Sequence, residues 1–263
     1  GVPFPGADDN ASGISVLIEV ARKLARVFTP KRPIIFVAFT GEESGLLGSD
    51  YFVNSSSDGL QSGKAFAMVN LDAVGRLEGR TLQIFGTESA YEWPFMAQGI
   101  GFTIGVPSQF AAQTVASSDH VSFLNAGIPA IHLFSGTHLD YHQPTDTADK
   151  LDLAGMGDVA LWVEEAIVYL ADRTDPLRVS LDQASQISVS SATTARTASL
   201  GTVPDFAYQG QGVRISGVSP GGAAELAGMQ ASDVILQFNE QVVDSLQSYS
   251  NMLRAAAPGD EIE

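Results

Sequence analysis

Cysteine is absent from the 263 residues, which excludes disulfides, thiolate metal sites and cysteine nucleophiles and leaves the redox compartment open. Basic residues are scarce: 14 lysines and arginines stand against 30 aspartates and glutamates, for a formal charge of −16. A surface of that sign repels phosphate backbones, so nucleic acid is not an expected partner, whereas neutral or cationic peptides are tolerated. No apolar run approaches the ~18–20 residues that cross a bilayer, so no membrane span is expected. Nor is there the polar excess of a disordered chain, since 44% of residues are hydrophobic and 17% charged. Internal repeats are lacking too.

What is present is an alternation of two periods. Asn10 to Phe28 carries Ile14, Leu17, Ile18, Ala21, Leu24, Ala25 and Phe28 at helical spacing, which predicts one buried face. Pro33 to Thr40 is a nearly continuous apolar run, as expected of a strand covered on both sides. Glu43 to Val53 reads as a short helix. Ala65–Leu71, Thr81–Phe85 and Ala130–Phe134 read as further strands, and Leu153 to Ala171 as a helix with Met156, Val159, Val163, Ile167 and Leu170 inward. Buried strands alternating with amphipathic helices predict an α/β domain with a mostly parallel or mixed sheet between helical layers. From about residue 173 the character changes: Ser185 to Ser199 is rich in serine, threonine and alanine without a period, and reads as a linker. Beyond it, short strands at Gly212–Val218 and Asp233–Phe238 flank a small helix at Gly222–Ala227, and Leu246–Ala256 follows as a second helix. That is a separate, small α+β unit.

In open parallel sheets, ligands collect beyond the carboxyl ends of the strands. Gly41-Glu42-Glu43 follows the first predicted strand, Asn70-Leu71-Asp72 ends the second, and Tyr141-His142 lies in the loop beyond the fourth. Asp8-Asp9 precedes the first helix, whose N-terminal amides favour anions. Taken singly, each has a structural reading: Glu-Glu as a helix start, Asp8-Asp9-Asn10 as a cap, His142 as a loop histidine, His120 and His132 as packed side chains. Converging on one rim, the carboxylates would repel one another unless protonated or bound to a cation. With a histidine added, the set suits zinc, and a carboxylate that is not a ligand could take a proton from water.

Five stretches, in order, carry a family resemblance: Gly6-Ala7-Asp8-Asp9-Asn10-Ala11-Ser12-Gly13, Phe39-Thr40-Gly41-Glu42-Glu43-Ser44-Gly45-Leu46-Leu47-Gly48-Ser49, Asn70-Leu71-Asp72, Ser118-Asp119-His120-Val121-Ser122-Phe123, and Asp140 to Thr147. Together, over roughly Val2 to Asp172, they resemble the dizinc aminopeptidase family, which includes leucyl aminopeptidases, aminopeptidase Y, glutamate carboxypeptidase and glutaminyl cyclases. The resemblance implies that Asp9 bridges two zinc ions, that Glu43 and His142 complete one site, and that Asp72 binds the second ion. It further implies that Glu42 is the general base and that Tyr141 hydrogen-bonds the oxyanion. Asp119 would stand behind the ligands, and Asn10 would follow a cis peptide. The family's first motif, His-x-Asp, is expected ahead of Gly1, and the second zinc therefore lacks its upstream histidine here. Gly1–Gly6 reads as mid-loop and Gly259–Glu263 as the start of a strand, so both ends read as cut.

The C-terminal unit resembles a PDZ domain of the kind found in periplasmic proteases. Gly210-Gln211-Gly212-Val213-Arg214-Ile215 matches the carboxylate-binding loop and its strand, and Ser219 to Met229 followed by Asp233-Val234-Ile235 matches the most recognisable stretch. The resemblance implies peptide capture along a strand edge at Gly212, Val213, Arg214 and Ile215. The expected organisation is a catalytic domain over 1–172, a linker over 173–200 and a PDZ-like domain over 201–263. The expected activity is zinc-dependent hydrolysis of an N-terminal peptide bond, with peptides as substrates and peptide C-termini as partners of the PDZ-like domain. A cyclising acyltransferase and an inactive peptide-binding scaffold are the alternatives. By analogy, the location is the bacterial envelope or outside the cell.

Overall fold

The computed structural model describes residues 2–55, 65–110, 118–180, 198–206, 208 and 210–263. In chain order the larger unit contains α1 (Gly13–Val27), α2 (Leu47–Asn54), β1 (Met68–Leu71), β2 (Leu82–Phe85), α3 (Trp93–Ile104), β3 (Ser108–Phe110), α4 (His120–Asn125), β4 (Ala130–Phe134) and α5 (Leu153–Asp172). The strands form one sheet in the order β1-β4-β2-β3. β1 and β4 are parallel, in register Met68 to Ala130 and Leu71 to Leu133, while β2 runs antiparallel to β4 and parallel to β3. The sheet is thus mixed.

Side-chain alternation sorts each strand between two helical layers. Val69, Leu71, Leu82, Ile84, Ile131 and Leu133 pack with α1, α3 and α5 in the main core, around the fully buried Trp93 and Trp162. Met68 and Ala130 point the other way and meet Val53 of α2 and Phe123 and Leu124 of α4. β4 is buried along its whole length because both layers cover it. Asp152 caps α5 by accepting from the Gly155 amide at 3.0 Å.

Two expectations need correcting. The apolar run Pro33–Thr40 is not a strand: no ladder joins it to a neighbour among the described residues. Val37–Thr40 and Met68–Leu71 instead line one open cleft of about 540 Å³, so the edge of β1 is not paired with the run. The second concerns the face of α1. Val16, Val20 and Leu24 are its buried residues, whereas Ile14 and Ile18 are exposed. The helix carries two apolar stripes; one meets the main core, and the other brings Ile14 and Leu17 to the cleft.

The smaller unit contains β5 (Thr202–Pro204), β6 (Val213–Val218), α6 (Ala223–Leu226), β7 (Val234–Ile235), β8 (Gln237–Phe238), β9 (Gln241–Val242) and α7 (Leu246–Ala255). Its core is small, built on Val213, Ile215, Ile235, Phe238, Val243, Tyr249 and Leu253. Most of the serine-rich stretch expected as a linker lies outside the described residues. Among the described residues, no helix is long and apolar enough to cross a membrane.

His120 and His132 stack in the core, ring centroids 5.0 Å apart. Burial holds His120 well below its ordinary pKa, with repulsion from His132 adding to it, and burial alone drives His132 to about 3. Both are therefore neutral in the folded chain but take a proton near pH 6.5 once unfolded, so stability falls as pH drops below that value, by about 1.4 kcal/mol per unit for each ring. Neither nitrogen of His120 has a partner among the described residues, so His120→Leu leaves no buried group unpaired. Urea titrations between pH 7 and 4 should show a shallower loss of stability for His120→Leu than for the wild type; parallel curves would contradict this account.

Candidate metal centre

Because β1 and β4 are parallel, their carboxyl ends share one rim of the sheet. Asp72 follows β1, and the segment 135–152, with Tyr141 and His142, follows β4. A wide turn over Ala7–Ser12 enters α1 at the same rim, with Asp9 and Asn10 in non-helical conformations joined by a cis peptide. Gly41-Glu42-Glu43 arrives from the apolar run. Asp9, Glu42, Glu43, Asp72 and Asp119 all line the cleft.

The turn is held by side chains rather than by regular structure. Asn10 Nδ2 donates to the Leu71 carbonyl at 2.8 Å, while its Oδ1 accepts from the amides of Gly13 at 3.1 Å and Ala73 at 3.3 Å. Asp146 accepts from the backbone amides of Asp8, at 2.9 and 3.1 Å, and of Asp9, at 3.1 Å. The fully buried Asp8 accepts from the Gly75 amide at 2.6 Å and bonds His138 Nε2 at 2.9 Å. Gly75 tolerates no side chain here: a Cβ would lie 2.7 Å from Leu151 and 2.8 Å from Asp8 Oδ1.

Three of the expected ligands meet. His142 Nε2 lies 3.0 Å from Asp9 Oδ2 and 3.1 Å from Glu43 Oε1, and one donor atom from each residue falls within 4.8 Å of the others. His142 has a left-handed backbone, φ 55°, uncommon outside glycine and frequent at functional positions. Its ring stacks on Tyr141 with centroids 4.0 Å apart. Asp72 shares the cleft but is not one of the trio: its Oδ2 accepts from Ser118 Oγ at 2.7 Å. Ser118 in turn accepts from Asn70, which also contacts His132 Nδ1 at 3.2 Å. Asp119 stands beside Asp72 in the cleft, largely buried.

The electrostatics follow from this crowding. Burial, then repulsion from Asp72, Glu43, Asp119 and Asp9, pushes the Glu42 carboxyl up to about 8. Burial and the charge of Asp9 raise Asp72 to about 7 against the Ser118 hydrogen bond. Burial also lifts Asp119, and it lifts Tyr141 well above the ordinary phenol value, helped by the neighbouring carboxylates. His142 moves oppositely: burial disfavours its charge, but its hydrogen bonds to the carboxylates of Asp9 and Glu43 prevail and hold it at about 10. The chain alone meets the negative charge with a proton on His142. An imidazole and two carboxylates facing one point suit a borderline cation such as zinc, so the donor set fits.

Asp8, Asp146, His138, Ser118 and Asn70 carry much of this arrangement; all but His138 fall within the quoted motifs, but sequence reasoning assigns none of them this role. Asp8 and Asp146 lie in conspicuous acidic stretches, but nothing local distinguishes a buried clamp from a ligand. The peptide edge expected at Gly212–Ile215 is also misplaced. Val213 and Arg214 pair with β7, and the Arg214 carbonyl and Ile215 face Asp205 and Pro204 on the other side, so β6 has no open edge there. The outer strand on that side is β5, and Thr202 Oγ1 shares a hydrogen bond with the Tyr249 hydroxyl of α7 at 2.7 Å.

The sequence profile of peptidase family M28 matches residues 2–167, and that of a PDZ domain matches residues 214–263. The first match spans more than half of the chain, and the chain belongs to that family. Aminopeptidase YwaD of Bacillus subtilis is 35% identical over 164 residues, covering 57% of this chain and 34% of the relative. Leupeptin-inactivating enzyme 1 of Streptomyces exfoliatus is 32% identical over 146 residues, 55% of this chain and 32% of the relative. Among solved structures, the Legionella pneumophila aminopeptidase LapA superposes with a TM-score of 0.58 at 30% identity, over 65% of this chain and 48% of that one. A zinc aminopeptidase from Bacillus subtilis gives 0.58 at 27%, over 68% and 47%. The chain thus spans about a third of those curated relatives and about half of those structures.

Asp146→Ala frees the amides that pose Asp9 without touching a candidate ligand. Zinc affinity, measured by competition with a chromophoric chelator, should fall about 10–100-fold, as for other residues that orient ligands. An unchanged affinity would show that Asp9 is posed by its own turn.

Proposed function

We propose that this chain supplies the zinc-binding and proton-transfer groups of an aminopeptidase, with Asp9, Glu43 and His142 holding one zinc ion. The observation that carries this reading is the meeting of those three donors, 3.0 and 3.1 Å from the shared imidazole nitrogen, beside a non-ligating Glu42 of raised pKa. Asp9, with Asp72 across the cleft, would contribute to a second ion. Zinc, when bound, supplies Lewis acidity toward a carbonyl oxygen and makes water a better acid. Glu42 takes the proton of the attacking water on its carboxylate and passes it to the leaving amine. Its depressed acidity in the ion-free chain reflects buried negative charge, which a cation offsets. The Tyr141 hydroxyl stays protonated and is available as a hydrogen-bond donor to the developing oxyanion. Asn10 poses Asp9, and Asp119 adds negative charge behind the ligands.

In the PDZ-like unit, the groove between β5 and α7 is the place for a peptide C-terminus to add as a strand, in place of the β6 edge. A bacterial envelope or secreted location belongs to the same reading, supported by the pairing of a peptidase-type domain with such a module.

Glu42→Gln removes the proton carrier and keeps the shape. In the full-length protein reconstituted with zinc, turnover of aminoacyl p-nitroanilides should drop about 10²–10⁴-fold while bound zinc, measured by atomic absorption, stays at the wild-type ratio. Wild-type turnover retained by Glu42→Gln would remove Glu42 from the chemistry.

A further inference from the structure

A second, smaller cavity adjoins the candidate site on the α2/α4 side of the sheet. Asp72 and Tyr141 border it, and Phe85, His132 and Phe134 line it from β2 and β4. Its remaining wall is Phe206, which comes from the other unit, two residues past the end of β5. The Phe206 ring meets Phe134 edge to face, centroids 5.8 Å apart and planes at 87°. With Ala73 and Phe85 the two rings form a separate apolar cluster. About 20 Å³ of space is left, enough for little more than one water-sized group.

The placement of Phe206 is fixed from both sides. Thr137 Oγ1, on the segment that carries His142, donates to the Pro204 carbonyl at 2.8 Å and shares a hydrogen bond with Ser216 Oγ at 3.1 Å. On the other side the Asp205 amide donates to the Arg214 carbonyl at 2.8 Å, and the Arg214 guanidinium reaches Asp205 Oδ2 at 2.6 and 2.9 Å. These bonds hold the chain at Pro204 and Asp205, and the contact with Phe134 places the Phe206 ring.

We infer that Phe206 sets the size of the substrate side chain accepted beside the metal centre, and that this small pocket admits residues such as alanine and rejects leucine and phenylalanine. The inference rests on the aminopeptidase reading for the identity of the substrate, though not for the existence of the pocket. A small cavity lined by three phenyl rings and bordered by Asp72, His132 and Tyr141 receives the group attached to the carbon beside the reacting carbonyl. Phe85, Phe134 and Phe206 form its apolar wall, Asp72, His132 and Tyr141 its polar side, and the space between them leaves no room for a branched chain. Truncating one ring opens it without altering any candidate ligand.

The test uses the full-length protein loaded with zinc and two readouts. The first is kcat/KM for alanine, leucine and phenylalanine p-nitroanilides. The second is the affinity of alanine and leucine hydroxamates for the Glu42→Gln protein by calorimetry. The wild type should favour alanine, and Phe206→Ala should raise the leucine-to-alanine ratio about tenfold or more in both, the scale of one or two methylenes in an apolar pocket. Phe206→Trp should lower that ratio, and Phe206→Leu, which keeps an apolar contact with Phe134, should fall between Phe206→Ala and the wild type. Ratios within about twofold of wild type in all three variants overturn the inference. Should no anilide turn over while the hydroxamate ratio still shifts, the aminopeptidase reading fails and the size limit stands. Turnover with immobile ratios gives the reverse.

Discussion

Half-buried carboxylates do not share a cleft without a positive charge among them. Glu42, Asp72, Asp119, Asp9 and Glu43 line one opening at the end of the sheet; burial and neighbouring negative charge drive Glu42 and Asp72 toward protonation, and burial does so for Asp119. His142 answers in the chain alone by keeping its proton against the cost of burial. The fold around the rim can be understood as the means of holding these groups close in spite of that repulsion. Backbone amides of Asp8 and Asp9 are clamped by Asp146, Asn10 spans from its turn to the end of β1, and Ser118 satisfies Asp72. Asn10 and Ser118 are neutral, and Asp146 accepts from amides with Arg76 3.8 Å from its carboxylate.

The ends of the segment that follows β4 are secured differently. Arg76 and Lys150 both reach Asp140, two residues before His142, while Thr137 reaches the backbone of β5. Leu139 lies against Gly217, where a Cβ would come within 3.4 Å of its side chain. The stretch leading into Tyr141 and His142 is therefore held by both the larger unit and the smaller. This arrangement gives the PDZ-like unit a physical relation to the site, in addition to whatever it captures along its own groove.

Much of the larger unit was legible in the sequence because its strands are short, apolar and separated by amphipathic helices. β4 and α5 lie within a residue or so of their expected limits. The order of the motifs also placed Asp9, Glu43 and His142 at one point, since acidic pairs at a helix start and after an apolar run leave a clear trace. Pro33–Thr40 misled because hydrophobicity reports burial but not whether a partner strand is at hand. The face of α1 misled because two stripes of similar apolarity run along one helix, and only the tertiary contacts of Val16, Val20 and Leu24 decide between them. The clamps Asp8, Asp146 and Ser118 were illegible for another reason: a buried polar group is defined by its partners, and those lie up to 138 positions away. For β6, a glycine-rich loop before a strand signalled the module correctly but could not say which strand lies outermost.

That 138-residue separation also bears on how the protein comes together. The donors at Asp9, Glu43 and His142 are contributed by the beginning, the first quarter and the second half of the chain, and they meet only across the folded rim. Closing such loops costs entropy that is recovered only when the sheet and its helical layers are in place. The donors therefore come together only where those long-range contacts exist, and an unfolded chain offers an ion no preformed site. Competence to hold metal is then a report on completed folding.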